Sequence, residues 1–474
     1  MRPRGIDVLS RWGSAVRRAA RGLSVAREGR WIAVAAAALS VLAPREAAAD
    51  LPSGRVDFGM YGRVGVAWTT SGEVINGTNM NLGDKKALGG RFEEGDYLEP
   101  AVKAHLLQGK DEGDPTVDMV MTFGMFARNG SFIDALASNT GSVLGIEMFQ
   151  AYIEAKNVFT EDLTFWIGAR QYRGADVHIA DYFYFNDLSG QGGGIKYKGL
   201  DTAVLLQTNE SDLFYNADLN GDDELDVKRQ RTIFVGQYTH PFGSGSTSVQ
   251  GLAELHLVPS LREGQGGVDR ENQNVADKGF VVGAKLHLDL DDGNFNDTSV
   301  RFGAGIANGA WGGTQTFYTF GDPAEDGSYD GAYGVEAVDH FLWNFNPLFA
   351  VNAYGVLNLS KGASGVAADQ RLNFAVGART FLYAHRQFHL INEVTYQGRR
   401  DGEMDMGTAV KVSVVPTIVP TGERSVWGRP HLRLIYTAGF YNDAAADQLM
   451  SPFLQKMGRV ESAHYLGTRA EWWF

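Results

Sequence analysis

Stretches of about ten residues in which apolar and polar side chains strictly alternate recur along this chain. A period of two dictates strands with one apolar and one polar face. Val56, Phe58, Met60, Val64, Val66 and Trp68 share one parity, against Asp57, Tyr61, Arg63 and Thr69 on the other. Leu98, Pro100, Val102, Ala104 and Leu106 alternate with Tyr97, Glu99, Lys103 and His105. The rhythm continues through Asp118 to Met125, Gln150 to Lys156, Leu163 to Tyr172, Thr232 to Tyr238, Val281 to Leu288 and Val300 to Ile306. It returns at Leu372 to Leu382, Phe388 to Tyr396, Val426 to Tyr436 and Tyr465 to Phe474. Gly-, Asn- and Asp-rich turns such as 289–297 join the runs, and no amphipathic helix of ordinary length interrupts them. A β-sandwich alternates too, but it turns its apolar face inward and rarely needs so many strands. Here the polar face carries charged and aromatic residues in nearly every run, which suits water inside and lipid outside, as in a membrane β-barrel.

Residues 1–49 read as a leader. Nine Arg precede or flank the apolar run 31–43, and Ala47-Ala48-Ala49 before Asp50 supplies small residues for cleavage. The run is too short to span a bilayer as a helix, so residues 50–474 are expected to be exported as a single β-barrel domain. Removing nine Arg and three carboxylates from totals of 43 basic and 56 acidic residues leaves 34 and 53, a net charge near −19. Such a balance offers no basic footprint for nucleic acid. The chain has no Cys, which excludes a disulfide framework and leaves backbone pairing and burial to hold the fold.

The least ordinary stretch is 170–190, which follows an alternating run and sets four consecutive aromatics, Tyr182 to Phe185, between acidic residues. One reading is an edge strand running into a decorated turn. The other is a loop folded across a polar cavity, offering ring faces and carboxylates to a hydroxylated ligand. At the chain's end Trp472 and Phe474 fall on the apolar parity, whereas Trp473 falls with Glu471 and Arg469 on the polar one. An interfacial girdle accounts for the first two rings but not for Trp473.

Four segments carry a likeness to a known family: Val56-Asp-Phe-Gly-Met-Tyr-Gly-Arg63, the block from Phe165 through Asp176-Val-His178 to Gly190, Val426-Trp-Gly-Arg-Pro430, and Glu471-Trp-Trp-Phe474. In these the chain resembles the maltoporins, trimeric sugar porins of the Gram-negative outer membrane. The resemblance implies an all-β fold, an 18-stranded antiparallel transmembrane β-barrel with an inward-folded third loop. About 425 mature residues give ~24 per strand and connection, in keeping with strands of ~9–11 residues. It further implies facilitated diffusion of maltodextrin-like oligosaccharides, with ions passing alongside, in a homotrimer that performs no catalysis. Carried onto matching positions, an aromatic slide would comprise Tyr61, Tyr97, Trp427 and Trp473. A polar track would comprise Arg63, Arg91, Glu99 and Asp181, and the constriction loop would present Arg173, Asp176, His178 and Phe183. Rings would take the apolar faces of a pyranose while Arg and carboxylate groups bond its hydroxyl rim.

The chain also departs from the family. Phe183 stands where maltoporins have a constriction Tyr, Gly174 and Phe149 where they have Arg, and Phe132 near the place of a second-loop Trp. Fewer guanidinium groups lower the positive charge expected of the lumen and leave the sugar's identity open. A general or ion-selective porin is the alternative, although it would favour rings of charge over a ladder of aromatics. No G-x-S-x-G or comparable nucleophile motif suggests an enzyme. No cofactor is implied. The acidic stretch 218–226 reads first as a solvated loop; the alternative is a structural calcium ion held by Asp218, Asn220, Asp222 and Asp226, although Asp223 and Arg229 replace the Gly and Glu of a calcium loop.

Overall fold

The computed structural model describes residues 55–68, 79–83, 88–127, 132, 144–186, 189–207, 216–217, 227–228, 230–243, 246–260, 275–309 and 318–474. The expected leader and the acidic loop with Asp218, Asn220, Asp222 and Asp226 lie outside these residues.

Each alternating run falls within or overlaps a strand. In chain order the long strands are β1 (Val56–Trp68), β2 (Tyr97–Leu107), β3 (Thr116–Ala127), β4 (Leu144–Lys156), β5 (Leu163–Arg170) and β6 (Gly190–Tyr197). Then come β7 (Leu200–Gln207), β8 (Arg231–Pro241), β9 (Ser248–Val258), β10 (Asp277–Asp289), β11 (Phe295–Gly305) and β12 (Tyr333–Asn346). The series ends with β13 (Phe349–Lys361), β14 (Gln370–His385), β15 (Phe388–Asp401), β16 (Gly407–Ile418), β17 (His431–Tyr441) and β18 (Ser462–Trp473). Every strand pairs antiparallel with its sequence neighbours, and β18 returns to pair with β1, closing an 18-stranded barrel. Closure satisfies the edge backbone groups that an open sheet would leave unpaired in lipid.

Burial confirms which face is which. Phe58, Val66, Leu106, Ile167, Phe234, Val300, Val376 and Leu434 are exposed on the outer face, whereas Glu254, Asn352, Glu393, Thr395, Lys411 and Arg433 are buried on the inner one. A water-soluble domain would reverse this distribution. An exposed apolar belt around a polar interior is what a bilayer-spanning barrel requires.

Two connections cover much of that inner face. Residues 79–83 and 88–96, between β1 and β2, bond to wall side chains: Leu82 N–H donates to Gln397 Oε1 at 3.0 Å, and Tyr354 Oη donates to the Leu88 carbonyl at 2.7 Å. Gly90 passes so close to the wall that a Cβ there would collide with the Glu393 carboxyl. A later connection, with helices α1 (Asp443–Asp447) and α2 (Pro452–Met457), pins this segment from outside: Phe453 N–H donates to the Asn79 carbonyl and Gly83 N–H to that of Met450. The second connection, described over 171–186 between β5 and β6, folds into a ribbon of Ala175–Val177 against Tyr182–Tyr184. Its tip is a single 3-10 turn, His178–Ala180, closed by Asp181 in the left-handed region at φ 52°.

The sequence suggested that the aromatic run 182–185 offers its faces to a ligand; three of the four rings do not. Tyr182, Tyr184 and Phe185 are fully buried among inward side chains that include Leu205, Ile233, Val338 and Val356. Tyr182 Oη donates to Glu336 at 2.5 Å, and Asn358 Nδ2 donates to it at 2.9 Å; Arg301 Nη1 donates to the Phe185 carbonyl at 2.9 Å. These rings anchor the segment to β11, β12 and β13, and only Phe183 is left half-buried.

Candidate functional site

Strand register assembles the expected rings. Tyr61 lies opposite Trp473 on one side and Glu99 on the other; Arg63 lies opposite Glu471 and Tyr97. All belong to the inward parity, so adjacent strands deliver them side by side. Tyr61 and Trp473 stack with centroids 6.5 Å apart, and Tyr61 and Tyr97 are 5.9 Å apart. Tyr97 in turn stacks on Phe149 at 6.5 Å. At the other end His178 bridges Trp473 (5.5 Å) and Trp427 (5.7 Å). The result is a continuous file of six rings, Trp427, His178, Trp473, Tyr61, Tyr97 and Phe149.

Two members differ from the sequence reading. Trp427 does not sit on a strand, because β17 begins at His431; it lies in the turn before, 42% exposed, so strand parity has no bearing on its direction. Phe149, noted only for displacing an Arg, lengthens the file instead.

The polar groups gather beside these rings. Arg91 donates through Nε to Glu94 at 2.7 Å and through Nη2 to Tyr61 Oη at 3.2 Å, and it pairs with Asp181 at 3.1 Å. Arg63 pairs with Glu94 at 3.1 Å, and its guanidinium lies 5.0 Å from the centre of the Tyr97 ring. Glu99 accepts a short hydrogen bond from Tyr97 Oη. Arg173 lies 4.3 Å from the ring centre of Phe183, so this pair stands together, while Asp176 faces His178 at 3.8 Å. Burial and the nearby Asp181 carboxylate push the Asp176 carboxyl up to about 6. Burial and the Arg91 guanidinium push His178 down to about 3, so its ring is neutral at ordinary pH. Burial works against ionisation of Asp181, but Arg91 and Arg63 outweigh it and hold that carboxyl below the usual range.

Sequence reasoning missed the groups around the last strand. Arg429 Cζ sits 3.8 Å from the Trp473 ring centre, and Glu471 accepts from both Arg429 and Arg433. Arg379 pairs with Glu393 at 2.6 Å and donates to the Ile179 carbonyl at 3.3 Å, tying the tip of the ribbon to β14. The lumen beside the rings is therefore richer in guanidinium than the substitutions at Gly174 and Phe149 suggested. The signal was legible, since Arg433, Arg469 and Glu471 all fall on the inward parity of their strands. Among the described residues no group of three or more His, Asp or Glu is set to hold a metal.

The model of the LamB porin family matches residues 56–474, which spans the barrel from its first strand to its last. The chain belongs to the LamB porin family. Membership of this LamB family places it among channels of the outer membrane. The maltoporin of Vibrio cholerae serotype O1 (El Tor) is 26% identical over 341 residues, covering 69% of this chain and 66% of that relative. The maltoporin of the Classical Ogawa strain is likewise 26% identical, with 69% and 65% covered. The LamB chain thus spans just under two thirds of the length of the curated relatives it matches. Solved structures similar to it include the outer membrane channel DcaP of Acinetobacter baumannii, at TM-score 0.43 and 10% identity, with 89% of this chain and 98% of that one covered. Another is OccK9 of Pseudomonas aeruginosa, at TM-score 0.43 and 9% identity, with 88% and 97% covered.

Proposed function

We propose that this LamB-family barrel is a channel for facilitated diffusion of oligosaccharides, maltodextrin-like in having pyranose rings with two apolar faces. The six-ring file carries the reading. A saccharide slides along it by exchanging one ring face for the next, while Arg63, Arg91, Glu99 and Asp181 trade hydrogen bonds with its hydroxyl groups. The segment 171–189 acts as the constriction, since its buried side chains reach strands distant from its own. Leader cleavage at the end of residue 49 and assembly as a homotrimer complete the proposal.

Throughput limits each contact to a modest strength. A millimolar site is worth about 4 kcal/mol, and with an association rate constant of ~10⁷ M⁻¹s⁻¹ it empties on the order of 10⁴ times per second. Tighter binding would close the channel to traffic. The test is single-channel conductance in planar bilayers titrated with an oligosaccharide panel. Saturable current block by a sugar supports the proposal. Conductance that follows salt alone, with no sugar blocking, assigns the pore to general or ion-selective diffusion instead.

A further inference from the structure

A small, largely enclosed space of about 10 Å³ lies beside the ring file where Tyr61 and His178 meet the last two strands, and its lining includes five Arg but only two Glu. Most of these cations are accounted for. Arg63 and Arg91 share Glu94 and Asp181, and Arg379 has Glu393. Arg429 and Arg433 must share the single carboxylate of Glu471. Arg469 is 4% exposed, and neither its Nε nor its Nη2 makes a hydrogen bond. The Nε groups of Arg429 and Arg433 are likewise buried without an acceptor. Four buried guanidinium nitrogens thus lack an acceptor; Arg433 and Arg469 line this space, and Arg429 lies against Trp473 beside it.

The register sharpens the imbalance. Arg433 and Arg469 are direct cross-strand partners, and like charges in that relation repel. Six guanidinium groups face four carboxylates in this corner, in a chain whose mature net charge is strongly negative. A packing role would pair these cations or replace them. A buried donor left unmade is costly, and an anion inserted among several guanidiniums satisfies both the donors and the charge.

We infer that this corner is an anion subsite, and that the preferred oligosaccharides carry an acidic group, a carboxylate or a phosphate, which Arg469, Arg433 and Arg429 receive while the sugar ring rests on the neighbouring aromatics. The inference builds on the proposed sugar channel and adds a substrate class to it. It also explains why Arg429 covers a face of Trp473: the ring holds a guanidinium in place for the anion.

The test is current block of the full-length channel in planar bilayers by four sugars of equal length: neutral, uronate, methyl-esterified uronate and phosphate-terminated. The expected result is block by the uronate, the phosphate-terminated sugar or both at concentrations at least tenfold below those for the neutral sugar and the ester. The order of those two identifies the preferred acid. Arg469→Gln should reduce the preference to about twofold, and Arg469→Lys should retain most of it; the open-channel conductance step shows that each variant has folded and inserted. Block by all four sugars at equal concentrations in the parent channel, with neither acid preferred over the ester and the neutral sugar, overturns the anion subsite and leaves the sugar channel standing. Block by none of the four overturns the sugar channel itself. An acid preference that survives intact in Arg469→Gln also overturns the assignment, because it places the discrimination elsewhere.

Discussion

Tyr61 stands directly opposite Trp473 across the seam where the first strand meets the last, their rings 6.5 Å apart and 27° from parallel. Closing the barrel and building the middle of the ring file are therefore one event. Trp427 is different, because it sits in a turn and touches the file only through His178. Trp427→Ala should leave the barrel intact and weaken sugar binding by about 1 kcal/mol, the scale of one aromatic contact, which raises the half-blocking concentration roughly fivefold. A titration of current block measures it. An unchanged half-blocking concentration would take Trp427 off the path.

If the ribbon around Asp176 forms the proposed constriction, the channel should respond to pH near 6. Burial first, and Asp181 second, raise the Asp176 carboxyl to about 6, while Arg91 and Arg173 act in the opposite sense. As pH falls through 6 the group gains a proton and the constriction loses a negative charge, so preference for cations should fall. His178, held near 3, contributes no change in that window. For folding the two signs oppose. Asp176 has a raised value, so its contribution is full below the ordinary carboxylate value and is lost as pH rises through 6; His178 has a depressed one, so its contribution is present above 6.5 and is lost as pH falls towards 3. Reversal potentials across a salt gradient from pH 7.5 to 4.5 should shift around pH 6, and Asp176→Asn should abolish the shift.

Much of the barrel was legible because lipid outside and water inside impose a period of two on every strand. Where that alternation weakens, reading it failed. β6 has four glycines in eight residues and no rhythm to show. β12 places Val338 inward and Asp339 outward, the reverse of the expected order, because Val338 packs under the 175–185 ribbon and Asp339 bonds its outer-face neighbours Asn296 and Thr298. The inward direction of Tyr61, Tyr97 and Trp473 was legible from parity. Trp427 was legible only through family likeness, since no periodic rule governs a turn. The inward packing of 79–83 and 88–96 was not legible at all: Asn81, Glu93 and Phe92 read as ordinary loop residues, and their partners Gln397, Lys411 and Arg379 lie about three hundred positions away.

Tyr182 anchors the ribbon of residues 175–184 to β12 and β13 through Glu336 and Asn358. Tyr182→Phe keeps the ring in its apolar pocket but leaves a buried carboxylate with one donor fewer, at a cost of about 1–3 kcal/mol. Arg301 continues to hold Glu336, so the wall itself should stand. The expected outcome is a barrel of unchanged strand content whose open-channel current is noisier, because the ribbon detaches more often. Current noise equal to that of the parent would show that the apolar contacts of Tyr182 and Tyr184 suffice.

Lys411 does the same for the other inward segment. Its ammonium group is buried on β16, where it pairs with Glu93 and donates to Asn81 Oδ1 and the Gly90 carbonyl, each at 2.7 Å. Arg91 is carried on the same segment, two residues from Glu93. Lys411→Met strands the Glu93 carboxylate in the interior, and breaking a buried pair from one side costs about 3–5 kcal/mol. That penalty should loosen residues 88–96, shift Arg91 away from Asp181 and Tyr61, and weaken sugar block although Lys411 touches neither ring nor track. Removing both charges is far less costly, because no unpaired ion remains. Lys411→Met combined with Glu93→Gln should therefore recover most of the block lost in the single variant. Titrating current block in the parent, the two single variants and the double separates the outcomes. If the double is as weak as Lys411→Met alone, the segment is held by its apolar contacts at Met80 and Phe92, and the buried ion pair does not position Arg91.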